Sequence, residues 1–164
     1  MVFDGIQSLD LTGPLEVFAA ADRVSASTGY ATEVVSADGE AVRTSSGITL
    51  APDRAARNCR GPIDTLVVAG GHGVAEAEGD DRLIAFLRSA ANRSRRITSV
   101  CTGAFLLARA GLLDGRTATT HWASCAGLAS RYPEIQVQAD LIFVRDAETW
   151  TSAGVTAGID LALA

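Results

Sequence analysis

The chain has 164 residues, 48% of them apolar and 20% charged, with a formal net charge of −5. That length fits one domain around one core, and the composition is that of a globular protein rather than a disordered one. Acids and bases are interspersed, so the acidic surface offers no electrostatic footprint for nucleic acid or anionic lipid, and this argues against DNA contact by this chain itself.

Three cysteines, Cys59, Cys101 and Cys125, are odd in number and widely spaced. With no Cys-x-x-Cys pair and no Cys/His cluster, neither a zinc site nor a disulfide framework is expected, and no metal or cofactor is called for. Free thiols suit a reducing compartment. No run approaches the roughly 20 apolar residues of a membrane span. The segment Met1 to Leu11 lacks the basic and apolar regions of a secretory signal, so the expected location is cytoplasmic.

Taken in chain order, Thr12-Gly13-Pro14 predicts a helix start, with Thr12 as cap, running to about Ala21. Ala31 to Ser36 predicts a strand, Ala37-Asp38-Gly39 a turn, and Val42 to Leu50 strand-like chain around Ser45-Ser46-Gly47. The run Ile63 to Ala69 predicts a strand buried on both faces, followed by a loop at Gly70-Gly71-His72-Gly73. Asp80-Asp81 opens a helix through Leu83, Ile84, Phe86 and Leu87 that ends near Arg93 to Arg96. A short strand, Ile97 to Val100, runs into a helix over Thr102 to Ala110, stopped by Gly111. Arg116 to Thr120 predicts a strand and Trp122 to Ser130 a helix. Leu141 to Arg145 and Thr149 to Ala153 predict a hairpin about Asp146, and a last helix starts near Val155 or Thr156. Strands alternating with helices imply an α/β fold with a mostly parallel sheet covered on both faces. Both ends read as cut, with only Met1 to Phe3 for a first strand and no stop signal after the last helix.

The segment Thr98-Ser99-Val100-Cys101-Thr102-Gly103-Ala104 has the strand–nucleophile–helix layout of a nucleophile elbow, with cysteine in place of serine. A side chain at that turn projects at the carboxyl edge of the sheet, where open α/β folds bind ligands. The helix that follows aims its N-terminus at the sulfur, which favours thiolate over thiol. The alternative is a buried cysteine acting as a small hydrophobe.

The stretch "TSVCTGAFLLARAGLLDGRTATTHWA" (Thr98 to Ala123) resembles the core of the ThiJ/PfpI superfamily. "LDLTGPLEVFAAA" (Leu9 to Ala21), "VVAGGHGV" (Val67 to Val74) and "WTSAGVTAGIDLALA" (Trp150 to Ala164) resemble it as well, so the likeness spans nearly the whole chain. It implies the class I glutamine amidotransferase-like fold, a flavodoxin-like three-layer sandwich with a cysteine elbow. Two branches fit: the N-terminal domains of AraC-type transcriptional regulators, and isocyanide hydratases.

The resemblance gives each site residue a part. Asp10 takes the place of an acid that hydrogen-bonds the elbow cysteine, and proximity to a thiolate should raise its pKa. Glu16, further along the same helix, has only a minor claim. Gly71 and the amide of Thr102 correspond to the two donors of an oxyanion hole. Thr102 stands where many superfamily hydrolases carry a histidine, which puts protease and amidase activity in doubt. His121 should share the sheet edge with Cys101 and His72 lies in the glycine loop; both are candidate pocket residues.

The branch decides the function. "RYPEIQVQADLIFVRDAETWTSAGVTAGIDLALA" (Arg131 to Ala164) resembles the regulators more than the hydratases. The expected function is therefore a ligand-sensing domain: a homodimer that binds a small effector, with DNA contacted only by a helix-turn-helix region beyond Ala164. The alternative is an isocyanide-hydratase-like enzyme with Cys101 as nucleophile, Asp10 as proton carrier and Thr102 as support. A redox-sensing Cys101 ranks third.

Overall fold

A computed structural model describes residues 1–24 and 29–164. The first helix, α1 (Ser8–Val24), is followed by four short strands: β1 (Val35–Ser36), β2 (Val42–Arg43), β3 (Thr49–Leu50) and β4 (Arg54–Ala55). Next come β5 (Ile63–Val68), α2 (Val74–Ala77), α3 (Asp81–Ala91), β6 (Ser94–Val100) and α4 (Gly103–Arg109). The remainder is β7 (Thr117–Ala118), α5 (Cys125–Arg131), β8 (Gln136–Val137), β9 (Phe143–Asp146), β10 (Thr149–Ser152) and α6 (Ala157–Leu163).

The central sheet has the order β5-β6-β10-β9, parallel except for the β9 edge. Met1 to Phe3 extends it on the other side. The Val2 N–H donates to the Val35 carbonyl at 2.8 Å, and the Ala69 N–H donates to the Met1 carbonyl at 3.3 Å. Helices α1 and α6 pack together on one face, while α3 and α4 lie on the other, with α2 against α4. This is the three-layer α/β sandwich expected. Leu66 and Val68 enter the main core, whereas Val67 joins a second cluster with Val100, Trp150 and Leu161. That split follows from the two-residue period of a strand.

Several boundaries differ from expectation. Helix α1 starts at Ser8, and Thr12 does not cap it: its hydroxyl donates back to the Ser8 carbonyl at 3.1 Å. Pro14 lies inside the helix, so the Asp10 carbonyl lacks the amide donor that position 14 would otherwise supply. Strand β5 is not sealed on both faces, because Asp64 is exposed and Ile63, Thr65 and Val67 are half-buried. Arg95 and Arg96 are strand residues paired to Asp64, not a helix end. The expected strand over Arg116 to Thr120 shrinks to two residues that pair in parallel with β8, and the expected strand from Ala31 to two residues paired with β4. Asp80 does cap its helix, accepting from the Arg82 and Leu83 amides. The late hairpin forms with Thr149 opposite Asp146.

One polar cluster fixes the helical layer behind the glycine loop. Glu78, at the end of α2, has a side chain 9% exposed and accepts a bidentate pair from Arg131 at 3.0 and 2.7 Å, plus the Tyr132 hydroxyl at 2.9 Å. Arg131 also covers the Phe105 ring of α4. Arg131→Ala leaves a nearly buried carboxylate with one neutral donor. The expected loss is about 1–2 kcal/mol, less than for a fully buried pair because Arg131 itself is half in water. A urea midpoint equal to that of the parent would show that this cluster is not a clamp.

Candidate functional site at the carboxyl edge of the sheet

Strands β5 and β6 end side by side, and the chain turns sharply at both ends. After β6, Cys101 adopts φ 56°, the left-handed region that a side chain normally avoids. Such a residue costs on the order of 1–3 kcal/mol and persists only when its neighbours over-determine it. Here they do. The Cys101 N–H donates to the Ser152 carbonyl at 3.1 Å, and the Thr120 hydroxyl donates to the Cys101 carbonyl at 2.8 Å. The turn needs two glycines beside it. A Cβ on Gly70 would sit 2.5 Å from the Thr102 nitrogen, and one on Gly154 would sit 2.5 Å from the Cys101 Cβ and 2.8 Å from its Sγ.

Asp10, in the first turn of α1, is completely buried. Its Oδ2 accepts from the Gly70 N–H at 3.1 Å and its Oδ1 from the Val155 N–H at 3.0 Å. The Cys101 thiol lies close enough to this carboxyl to interact with it. Burial is the main influence on Asp10 and pushes its pKa above the usual carboxylate range; the two amides, the thiol and nearby His121 all oppose that shift. The direction is the one expected, but its cause is desolvation rather than proximity to sulfur.

The thiolate expectation is overturned. Burial, followed by the charge of Asp10, pushes the Cys101 thiol up to about 12. The Thr102 amide and hydroxyl favour the anion but are outweighed. A turn of helix donors cannot compensate for a site that is 7% exposed and already holds a carboxylate. At neutral pH this favours the thiol form of Cys101.

The remaining predicted residues divide. The Thr102 Oγ accepts from the Gly71 N–H at 2.8 Å and donates to the Gly71 carbonyl at 3.1 Å. With the Gly70 amide given to Asp10 and the Gly71 amide to Thr102, both glycine-loop donors are engaged within the protein, leaving the Thr102 N–H facing the sulfur. His121 is half-buried and close enough to Asp10 to act on its charge, with its ring 5.5 Å from the exposed Trp122. The His72 side chain is exposed in the turn between Gly71 and Gly73. Glu16 is exposed, near Arg23. Sequence reasoning missed Gly154 and Val155, which close over Cys101 and Asp10 from the end of β10. A glycine just past a strand that ends at the same sheet edge was the available signal.

The whole chain, residues 1–164, matches the DJ-1/PfpI family. The chain belongs to that family. It is 39% identical to an isonitrile hydratase of Pseudomonas putida over 163 residues, covering 99% of this chain and 67% of that protein. It is 31% identical to the HTH-type transcriptional regulator GbdR of Pseudomonas aeruginosa, again over 163 residues, but this is only 44% of the regulator's length. Among solved structures, a ThiJ/PfpI family protein from Pseudomonas syringae superposes with a TM-score of 0.87 at 32% identity, covering 99% of this chain and 64% of that one. The resemblance to both branches is borne out.

Among the described residues, no group of His, Cys, Asp and Glu side chains is arranged to hold a metal ion, and no helix is long and apolar enough to cross a membrane. What this edge of the sheet brings together is the Cys101 thiol and the buried Asp10 carboxyl group.

Alkylation of Cys101 by iodoacetamide, followed by peptide mass spectrometry, should keep accelerating up to about pH 12, and Asp10→Asn should speed it at mildly alkaline pH by removing a negative charge. A slower or unchanged rate would place Asp10 outside electrostatic reach. The same shift makes the fold lose stability as pH climbs from the ordinary thiol value of 9.0 towards 12, because the unfolded chain gives up that proton first. Separately, Gly154→Ala should lower stability by about 1–3 kcal/mol through the clash with Cys101 and its own φ of 104°; an unchanged melting temperature would show that the contact yields freely.

Proposed function

We propose that this DJ-1/PfpI domain is the ligand-sensing part of an AraC-type transcriptional regulator, with the Cys101–Asp10 pair at the carboxyl edge of the sheet as its effector site. One observation carries the reading. Asp10 holds the Val155 N–H and Gly154 rests on the Cys101 sulfur, so whatever binds the sulfur or the carboxyl also acts on residues 153–156 and on α6 behind them. Val155 has φ 52°, which leaves that turn with strain to release. A resting thiol suits reversible binding better than rapid chemistry. The HTH-type relatives support the same reading.

In this reading Cys101 and Asp10 contact the effector. Thr102 can release Gly71 when a ligand oxygen or nitrogen competes for that amide, and His121 and His72 line the approach. The domain works as a homodimer in the cytoplasm, and DNA is bound by a separate region outside these residues. A peroxide-sensing role ranks third, because the upward push on the Cys101 thiol lowers its share of thiolate.

The hydratase reading is the second, favoured by the Asp10–Cys101–Thr102 arrangement and the 39% identity to an isonitrile hydratase. Asp10 would take the thiol proton as sulfur attacks the terminal isocyanide carbon, and would return it to that carbon to give a thioimidate. Water would then add, the C–S bond would break, and an N-substituted formamide and the thiol would leave.

Cyclohexyl isocyanide separates the two. The sensor reading expects no N-cyclohexylformamide by mass spectrometry, and a thermal upshift with some members of a small-metabolite set that disappears in Asp10→Asn. Formamide produced over many turnovers by the parent protein and abolished by Cys101→Ala would replace the sensor reading with the enzyme.

A further inference from the structure

All fourteen basic residues of this acidic chain are arginine. Seven of them, at positions 23, 54, 82, 95, 96, 116 and 131, lie against a carboxylate. Among the described residues the other seven have none, and three of those, Arg57, Arg60 and Arg93, line one open concavity of about 550 Å³. Arg82 stands at the same rim, already engaged by Asp80 at 3.2 Å and Asp38 at 4.0 Å. Gathering three uncompensated cations around one hollow is unfavourable by mutual repulsion unless something neutralises them.

Two of the three are held rather than free. The Arg93 guanidinium donates to the Gly61 carbonyl and, at 2.7 Å, to the Cys59 carbonyl, and it lies over the Phe86 ring. Arg57 donates to the Asp38 carbonyl at 3.2 Å. Carbonyl partners orient a guanidinium without cancelling its charge, and each retains further N–H donors suited to bidentate contact with a phosphate oxygen pair. Ala37, Ala56 and Ala85 add a small apolar wall. The size falls in the range of small-molecule sites, and the net charge of −5 disfavours a long polyanion.

The hollow is remote from Cys101. Arg93 precedes β6 and Cys101 follows it, so the length of the strand separates them, about 25 Å at roughly 3.3 Å per residue. We propose that this concavity, at the amino edge of the sheet, is a second ligand site that takes a phosphorylated small molecule, with Arg57, Arg60 and Arg93 binding its phosphate groups. The site is independent of what happens at Cys101.

Inorganic tripolyphosphate is the probe, titrated by calorimetry at constant ionic strength. The parent and Cys101→Ser should bind it alike. Arg57→Ala/Arg60→Ala should weaken binding by about tenfold or more, and Arg60→Glu should abolish it; both side chains are exposed, so melting temperatures without ligand should match the parent. Absence of binding by the parent, or equal affinity in the double variant, overturns the site. Binding of a short DNA duplex but not of tripolyphosphate also overturns it, and assigns the surface to nucleic acid instead.

Discussion

A buried carboxyl group held by backbone amides is the constraint on which this molecule is organised. Asp10 is shut away from water, and its two oxygens are satisfied by backbone amides from two different turns, one after β5 and one after β10. Those two hydrogen bonds tie α1 to both flanks of β6 and fix the space in which Cys101 must stand. An unsatisfied charge in such a place is costly enough that each turn has little freedom to move alone. The left-handed cysteine, the glycine pressed against its sulfur and the strained Val155 all follow from closing the chain around that carboxyl group.

The chemistry of the elbow follows from the same enclosure. A helix N-terminus beside sulfur is the usual recipe for a thiolate, yet the local field here is set by burial and by Asp10, and both favour the proton. The pair therefore holds a proton in reserve between two groups whose affinities are both raised. That is compatible with a sensor, which must rest in one state until a ligand arrives, and with a nucleophile activated only when a substrate enters. This chain is similar to both kinds of relative.

The two edges of the sheet differ in electrostatic character. At the carboxyl edge the dominant charge is the buried Asp10, and at the amino edge it is a group of oriented guanidiniums. Strand β6 connects them, with Arg95 and Arg96 at one end bound to Asp64 and Cys101 immediately past the other. The hydrogen bond from Arg95 and its charge hold Asp64 down at about 2, so that anchor stays ionised at neutral pH.

Local chemistry made much of this readable in advance. A β-rich run ending in Val100-Cys101-Thr102-Gly103 can hardly be other than a strand turning into a helix, Asp80 is a capping residue wherever it precedes a helix, and the late hairpin follows from its two short apolar runs. Each of these depends on neighbours in sequence. The position of Asp10 beside the thiol, the engagement of Gly70 and Gly71 by side chains, and the closure by Gly154 and Val155 depend on residues 31 to 145 positions apart. So does the protonation of Cys101, because desolvation is a property of the packed interior and not of any one segment. The residue types at the elbow were thus set by sequence, while their charge states and hydrogen-bond partners were decided only when distant loops came together and water was removed.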